Sequence, residues 1–174
     1  MNLSSKELFL KDNTLITSKT DLKGRITYGN QDFINYGRYQ EKEFLGKPHN
    51  LVRHPKMPRV AFKFLWEFVQ NGKEFFAYVC NRSKLGETYW VFVNVTPSYD
   101  ENGNIIGYYS VRRRPSKEGV ETAIELYKQC LDLESKGGLD ASTKFVSDFL
   151  AQNNISWNEL IINLQSKAKT GGFR

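Results

Sequence analysis

Cysteine and histidine are scarce in this chain of 174 residues. The two cysteines, Cys80 and Cys130, lie far apart, while the two histidines, His49 and His54, share one short segment. No Cys-x-x-Cys pair and no cysteine and histidine cluster at metal-ligand spacing occurs. The sequence therefore predicts neither a disulfide framework nor a zinc site.

Long apolar runs are also missing. No window approaches the roughly 18 consecutive apolar residues that a membrane-spanning helix needs. The first residues, Met1 to Lys6, contain no extended apolar stretch before a small-residue cleavage site, so no secretory signal is predicted. We therefore expect a cytoplasmic protein without a membrane span.

Sequence motifs of common enzymes are absent as well. There is no GxSxG, no GxGxxG after a strand, no P-loop lysine motif and no pair of carboxylates beside the histidines. The formal net charge of +6 favours an anionic ligand or an acidic partner surface, or simply serves solubility. Without a nucleic-acid-binding motif, that charge does not predict nucleic acid as a partner. We expect a protein that is not an enzyme.

The hydrophobic pattern predicts an α+β fold. Hydrophobic residues make up 40% of the chain, which is enough for a core. Two β-prone runs come first, then short helical turns, one longer helix and three long strands. The predicted ranges are 15–20 and 26–28 for the first strands, 58–72 for the helix, and 75–82, 88–97 and 105–113 for the last strands.

A helical tail is predicted after Pro115. Apolar residues fall on one helical face as far as a glycine pair that we expect to end the helix at a flexible joint. The apolar positions are Ile124, Tyr127 and Leu131, and the glycine pair is Gly137 and Gly138. Further on, Ser156 and Glu159 have the spacing of a capping box and predict the start of another helix.

The most unusual segment runs from Pro48 to Pro58 and reads PHNLVRHPKMP. It combines both histidines, an arginine, an asparagine and three prolines immediately before the aromatic helix that carries Phe62 and Trp66. This composition is atypical of a simple connector and predicts a binding segment.

Together with later motifs, this segment resembles the PAS sensor domains of aerotaxis and energy-taxis receptors, the Aer and CetB type. The resemblance extends from about Leu15 to Lys128, and the family pattern has an aspartate where this chain has Lys56. It implies a PAS fold, with a five-stranded antiparallel sheet and short helices and one longer helix over one face. The other motifs that carry it are the Trp66 helix, Asn81-Arg82, Tyr89-Trp90 and Gly107-Tyr108.

The resemblance implies an N-terminal cap at 1–14, a PAS domain at 15–115 and a helical appendage at 116–174. It also implies FAD bound without a covalent bond. The candidate cofactor-binding residues are Arg53, His54, Trp66, Asn30, Asn81, Phe62 and Trp90.

The chemistry of these residue types suits a dinucleotide. The planar guanidinium of Arg53 fits phosphate or the negative charge of a reduced flavin ring. His54 can change protonation near physiological pH, and an aromatic such as Trp66 can stack on a flat ring. Asparagine amides supply hydrogen bonds. Each of three residues also has a structural role as an alternative: Asn30 as a helix cap, Trp66 as a core residue and His54 as part of a turn.

Other cofactor classes are left open by the sequence. A haem-binding gas sensor would use His49 or His54 as axial ligand. A cofactor-free PAS interaction module is another alternative. A light-sensing flavin domain of the LOV kind needs a cysteine in the short segment 50–54, and none is present.

The resemblance further implies a redox or oxygen-status sensor that passes its signal to a membrane-bound chemoreceptor. We expect the sheet surface and the helix with Ile124, Tyr127 and Leu131 to dock on that receptor. A PAS homodimer is a competing use of the same apolar face, and packing on the chain's own sheet is the structural alternative. The run Arg112 to Arg114 is expected to mark the exit from the last strand.

Overall fold

The computed structural model describes residues 6–167, whose strands form one antiparallel sheet in the order β2-β1-β5-β4-β3. The prediction of an α+β fold with a five-stranded antiparallel sheet is confirmed. The strands are β1 (Ile16–Thr20), β2 (Ile26–Gly29), β3 (Phe75–Arg82), β4 (Thr88–Tyr99) and β5 (Ile105–Arg113).

Helical segments fill the connection between β2 and β3 and follow β5. The α-helices are α1 (Gln31–Gly37), α2 (Glu41–Phe44), α3 (Arg59–Gln70), α4 (Lys117–Gln152) and α5 (Trp157–Lys167). A 3₁₀ turn at His49–Val52 lies inside the unusual segment. The three prolines of the unusual segment, Pro48, Pro55 and Pro58, explain the irregular backbone of that segment, because each one removes an N–H donor and fixes φ.

The two faces of the sheet carry different layers, as the alternation of side chains along strands requires. On one face, the ring of Phe75 meets Phe68 of α3, with centroids 5.6 Å apart. On the opposite face, Trp90 of β4 stacks against Tyr127 of α4, with centroids 6.4 Å apart. Helix α3 and the first part of α4 therefore cover opposite faces of the β3 and β4 region.

Tyr127 is buried against the chain's own sheet. Its side chain is 1% exposed, and its hydroxyl donates a 2.8 Å hydrogen bond to the Tyr78 carbonyl. The expectation that Tyr127 belongs to a receptor-docking face is wrong, because burial of this ring against Trp90 removes it from the surface. Ile124 on the same helix also packs against the core.

The predicted helix break at the glycine pair is confirmed at Gly138, whose φ of 71° and ψ of −167° are non-helical. The joint is packed rather than loose, since Ser142 just after it is fully buried and hydrogen-bonded to Glu134. The capping box at Ser156 and Glu159 is also confirmed, with Ser156 N donating to Glu159 Oε2 at 2.8 Å and Glu159 N donating to Ser156 Oγ at 3.3 Å.

The proposed division into cap, PAS domain and appendage stays a prediction. Residues 1–5 of the cap and 168–174 of the appendage lie outside the described part of the chain. Leu10 is buried, and Leu8 N donates to the Thr88 carbonyl at 2.8 Å, so the segment before β1 packs against the domain. Between residues 6 and 167, none of the helices has the length and apolar character needed to cross a membrane.

Candidate functional site

A cavity of about 340 Å³ lies between α3, the 3₁₀ segment and the central strands. Its volume falls in the range of about 300–1,000 Å³ that is usual for small-molecule sites. The residues that line it are Thr20, Lys23, Gly24, Pro48, His49, Asn50, Arg53, Phe62, Leu65, Trp66, Val79, Asn81, Val93, Val95, Tyr108, Ser110 and Arg112.

Four of the predicted cofactor-binding residues meet at this cavity: Arg53, Phe62, Trp66 and Asn81. An isolated antiparallel bridge joins Arg53 to Asn81, and the next residue, His54, donates its backbone N–H to the Cys80 carbonyl at 3.2 Å. The 3₁₀ segment is thereby attached to β3. Phe62 and Trp66 stand one turn apart on α3 and so share a helix face.

Arg53 is held at the cavity by two contacts. Its Nη2 donates a 2.8 Å hydrogen bond to the Met57 carbonyl, and its guanidinium carbon lies 3.9 Å from the centroid of the Phe62 ring. Burial lowers the pKa of Arg53, while the nearby carboxylate of Glu134 acts in the opposite direction. An arginine keeps its charge under such conditions, so Arg53 brings a fixed cation to the site.

A second arginine, Arg112 of β5, is buried beside His49 and Ser18. Its Nη2 donates to His49 Nε2 at 2.7 Å and to Ser18 Oγ at 3.1 Å. Because a guanidinium can only donate, His49 Nε2 is the acceptor and the imidazole is neutral. Burial, and then the charge of Arg112, lower the pKa of His49 to about 3, which agrees with the neutral ring.

Polar groups at the cavity wall lack protein partners. Within residues 6–167, Arg112 Nη1 and Ser110 Oγ are buried without a hydrogen bond. The side chain of Asn81, a residue 4% exposed, also belongs to the cavity lining. Native proteins pair most buried polar groups, so a polar molecule in the cavity would supply the partners that Arg112 Nη1 and Ser110 Oγ lack.

The lining is positively charged. It contains Lys23, Arg53 and Arg112, and in the described part of the chain neither aspartate nor glutamate lines the cavity. An uncompensated buried cation is costly, and a ligand with negative charge or several acceptors would offset that cost.

Aromatic rings close another part of the wall. Trp66 and Tyr108 meet edge to face, with centroids 5.5 Å apart and planes at 79°. Gly24, at φ +73° in the β1–β2 turn, lies under the Trp66 ring, and a Cβ there would come within 3.1 Å of it. The turn thus needs glycine both for its positive φ and for the close approach of the indole.

Three predicted site residues lie outside the cavity lining. Asn30 is the N-cap of α1, where Oδ1 accepts from Phe33 N and from Thr17 N, each at 3.0 Å. Trp90 faces Tyr127 on the opposite side of the sheet. His54 is buried nearby, and its Nδ1 accepts from Lys56 N at 3.1 Å. These geometries show structural roles, and a cofactor contact of these three residues stays a prediction.

The sequence interpretation missed the contribution of β5. Arg112 was expected at the exit from this strand, but it is 5% exposed and points to the cavity with Ser110 and Tyr108. The i, i+2 spacing of these three side chains on a predicted strand was the available signal, because such residues share one face. A basic residue on a buried face would then have indicated a binding function.

The described residues thus form an α+β domain whose sheet and helix enclose a basic, partly aromatic cavity. A family model described as the PAS fold matches residues 26–112, and the chain belongs to the PAS family. The predicted resemblance to PAS domains of the aerotaxis type is confirmed by a relative that is 41% identical over 119 residues, the aerotaxis receptor of Escherichia coli (strain K12).

The chain spans only a small part of its curated relatives. The aerotaxis receptor match covers 68% of this chain and 23% of the receptor. The nitrogen fixation regulatory protein of Klebsiella pneumoniae is 24% identical over 96 residues, which are 55% of this chain and 19% of that protein. These relatives fit the prediction of a sensor rather than an enzyme.

Solved structures show the same fold. The light-state structure of the blue-light photoreceptor Aureochrome1 LOV matches with a TM-score of 0.58 and 20% identity, over 63% of this chain and 88% of that chain. A LOV domain of a blue-light-activated histidine kinase from Erythrobacter litoralis EL346 matches with a TM-score of 0.53 and 16% identity, over 57% and 94% of the two chains.

Proposed function

We propose that this PAS domain binds FAD without a covalent bond and senses the redox or oxygen status of the cell for a taxis receptor. The observation that carries the proposal is Arg112, a buried cation whose Nη1 has no partner and whose cavity has no acidic lining residue within residues 6–167. The similarity to an aerotaxis receptor gives the biological context.

The residues present fit a flavin dinucleotide. Arg112 Nη1 and Ser110 Oγ, which lack partners within residues 6–167, and the Asn81 amide at the cavity offer hydrogen bonds to the polar edge of a ring. Phe62 and Trp66 offer flat apolar surfaces where α3 lines the cavity. The two other lining cations, Lys23 and Arg53, suit the pyrophosphate of a dinucleotide.

A bound flavin supplies electron-transfer chemistry that follows the redox state of its surroundings. The chain's own residues set how favourable a gain of negative charge is in the cavity. Arg112 keeps a fixed positive charge there, and neutral His49 fixes its guanidinium by accepting from Nη2. Burial strengthens that charge effect, since the effective dielectric constant falls. A change in hydrogen bonding at Asn81 or Arg112 would carry the redox state into β3 or β5.

Haem is the alternative cofactor to FAD for this cavity. The Nε2 of His49 accepts from Arg112, so the other ring nitrogen, Nδ1, carries the proton. Neither ring nitrogen then has a free lone pair for iron. His54 is outside the cavity lining. These positions favour a flavin over haem.

Absorption of the purified protein tests the proposal. We expect flavin bands, with FAD in acid-released extracts, and about a tenfold or greater loss of FAD affinity in Arg53→Ala and Trp66→Ala. Arg113→Ala is the matched control, because Arg113 is exposed on the same sheet. A Soret band would show that the protein binds haem instead of FAD. If folded protein shows no chromophore even after reconstitution with FAD, the chain is a cofactor-free PAS module.

We also propose that the signal passes to a membrane-bound chemoreceptor. With Tyr127 buried, the sheet face around Lys19, Tyr28 and Tyr109 is the better candidate contact, because Lys19 and Tyr28 are exposed there. Co-purification with the receptor should be lost in Tyr28→Asp and kept in Tyr99→Asp, which alters an equally exposed tyrosine on β4. Equal binding by both variants would exclude this face.

A further inference from the structure

The N-terminus of α3 is capped by a residue from the C-terminal helices. Glu134 of α4 accepts from Arg59 N at 3.0 Å through Oε2 and from Val60 N at 2.9 Å through Oε1. The position before the helix is Pro58, whose side chain makes no capping hydrogen bond. A carboxylate at this end satisfies free N–H donors and complements the helix dipole.

Helix α3 lies between the cavity and the C-terminal helices. Phe62 and Trp66 line the cavity, whereas Phe64 on another side of the helix meets Trp157 of α5 edge to face, with centroids 5.5 Å apart. A shift of α3 therefore changes both the cavity wall and the packing of α5.

The C-terminal helices are also attached to the free edge of β3. Trp157 Nε1 donates to the Phe76 carbonyl at 2.7 Å, and Asn158 Oδ1 accepts from Phe76 N at 3.0 Å. Both backbone groups of Phe76 thus depend on α5 for their partners. Hydrogen exchange of the Phe76 amide consequently reports whether α5 is docked.

Glu134 also acts electrostatically on the cavity. Burial lowers the pKa of Arg53, the lining arginine that approaches Phe62, and the charge of Glu134 opposes this lowering. Ser142 Oγ donates to Glu134 Oε1 at 3.0 Å and holds the carboxylate in place beyond the break at Gly138.

We propose that Glu134 is a positioning residue that couples the ligand cavity to the docking of the C-terminal helices. The identity of the ligand rests on the proposed function, whereas the connection through α3 does not. Coupling of two sites is reciprocal, so a ligand that orders α3 and Arg53 also stabilises the docked α5, and loss of Glu134 weakens the ligand site.

Glu134→Ala and the milder Glu134→Gln test this coupling in the full chain, with Glu125→Ala as the matched control on an exposed part of α4. Without flavin, Glu134→Ala should accelerate amide exchange at Val60 and at the remote Phe76, by about 2- to 30-fold, as expected for a lost cap. With FAD, its dissociation constant should rise several-fold, and FAD should slow exchange at Phe76 in the wild type but not in Glu134→Ala.

The outcomes separate the two proposals. Wild-type protein that binds no FAD would refute the proposed function, while the Phe76 exchange without flavin still decides the coupling. Faster exchange at Val60 alone, with unchanged Phe76 exchange and unchanged FAD affinity, would show a cap without coupling and overturn the inference. If Glu134→Ala does not fold, Glu134→Gln gives the same comparison, because its amide keeps one accepting oxygen.

Discussion

The neutral His49 should make the stability of this domain fall as the pH drops below about 6.5, before most carboxylates begin to titrate. Burial, with a smaller effect of Arg112, lowers the pKa of His49 from 6.5 to about 3 in the folded chain. The unfolded chain has the higher pKa, so it takes up a proton that the folded chain does not. Stability is therefore fully present above pH 6.5 and is lost as the pH falls toward 3.

The size of the effect follows from the two pKa values. At pH 5 the unfolded imidazole, with a pKa of about 6.5, favours its protonated form by about 30-fold, and the folded one remains neutral. That ratio corresponds to about 2 kcal/mol of lost stability between pH 7.5 and pH 5. His54, whose pKa is also lowered, chiefly by burial, adds a loss of the same sign.

Urea unfolding at pH 7.5 and pH 5 measures this loss. His49→Gln removes the titrating group and keeps a neutral acceptor for Arg112, so the variant should lose about 2 kcal/mol less than the wild type. His54→Gln is the control that retains the His49 contribution. If the wild type and His49→Gln lost the same free energy of unfolding between these pH values, the burial of a neutral His49 would be refuted.

Two further substitutions test the packing of the sheet. Tyr127→Phe removes the 2.8 Å hydrogen bond to the buried Tyr78 carbonyl, so we expect a loss of about 1–3 kcal/mol in the free energy of urea unfolding; an unchanged value would mean that water reaches this carbonyl. Gly107→Ala places a Cβ against the carbonyl oxygen of Thr20 on β1, so we expect thermal unfolding at a lower temperature and a loss of about 1–3 kcal/mol. Wild-type stability of Gly107→Ala would contradict the close approach of β1 and β5.

Strand periodicity and turn residues were sufficient to predict most of the sheet. The bounds of β3 and β5 agree with the predicted runs 75–82 and 105–113, because alternating β-prone residues between glycine-containing turns are a local signal. The start of α3 after Pro58 and the break at Gly138 were predicted for a similar reason, since proline and glycine restrict or release the backbone locally.

The candidate site was only partly predictable. Arg53, Phe62, Trp66 and Asn81 were identified from an unusual segment and a resemblance, and all four line the cavity. Asn30 had a local signal for its role as a helix cap. Trp90 and Asn81 both belong to long strands, and their opposite faces depend on which layer covers each side, a property that no local pattern determines.

By itself, the sequence determined the element order, most helix and strand limits to within about two residues, and the PAS family, because these depend on local backbone preferences and on a compact motif. Only the tertiary structure decided that Arg112 meets His49, that Tyr127 packs on the sheet rather than on a partner, and that Glu134 caps α3. Each of these contacts joins residues 49 to 75 positions apart. Such pairs arise from strand order and layer packing, so their chemistry appears only when the chain is folded.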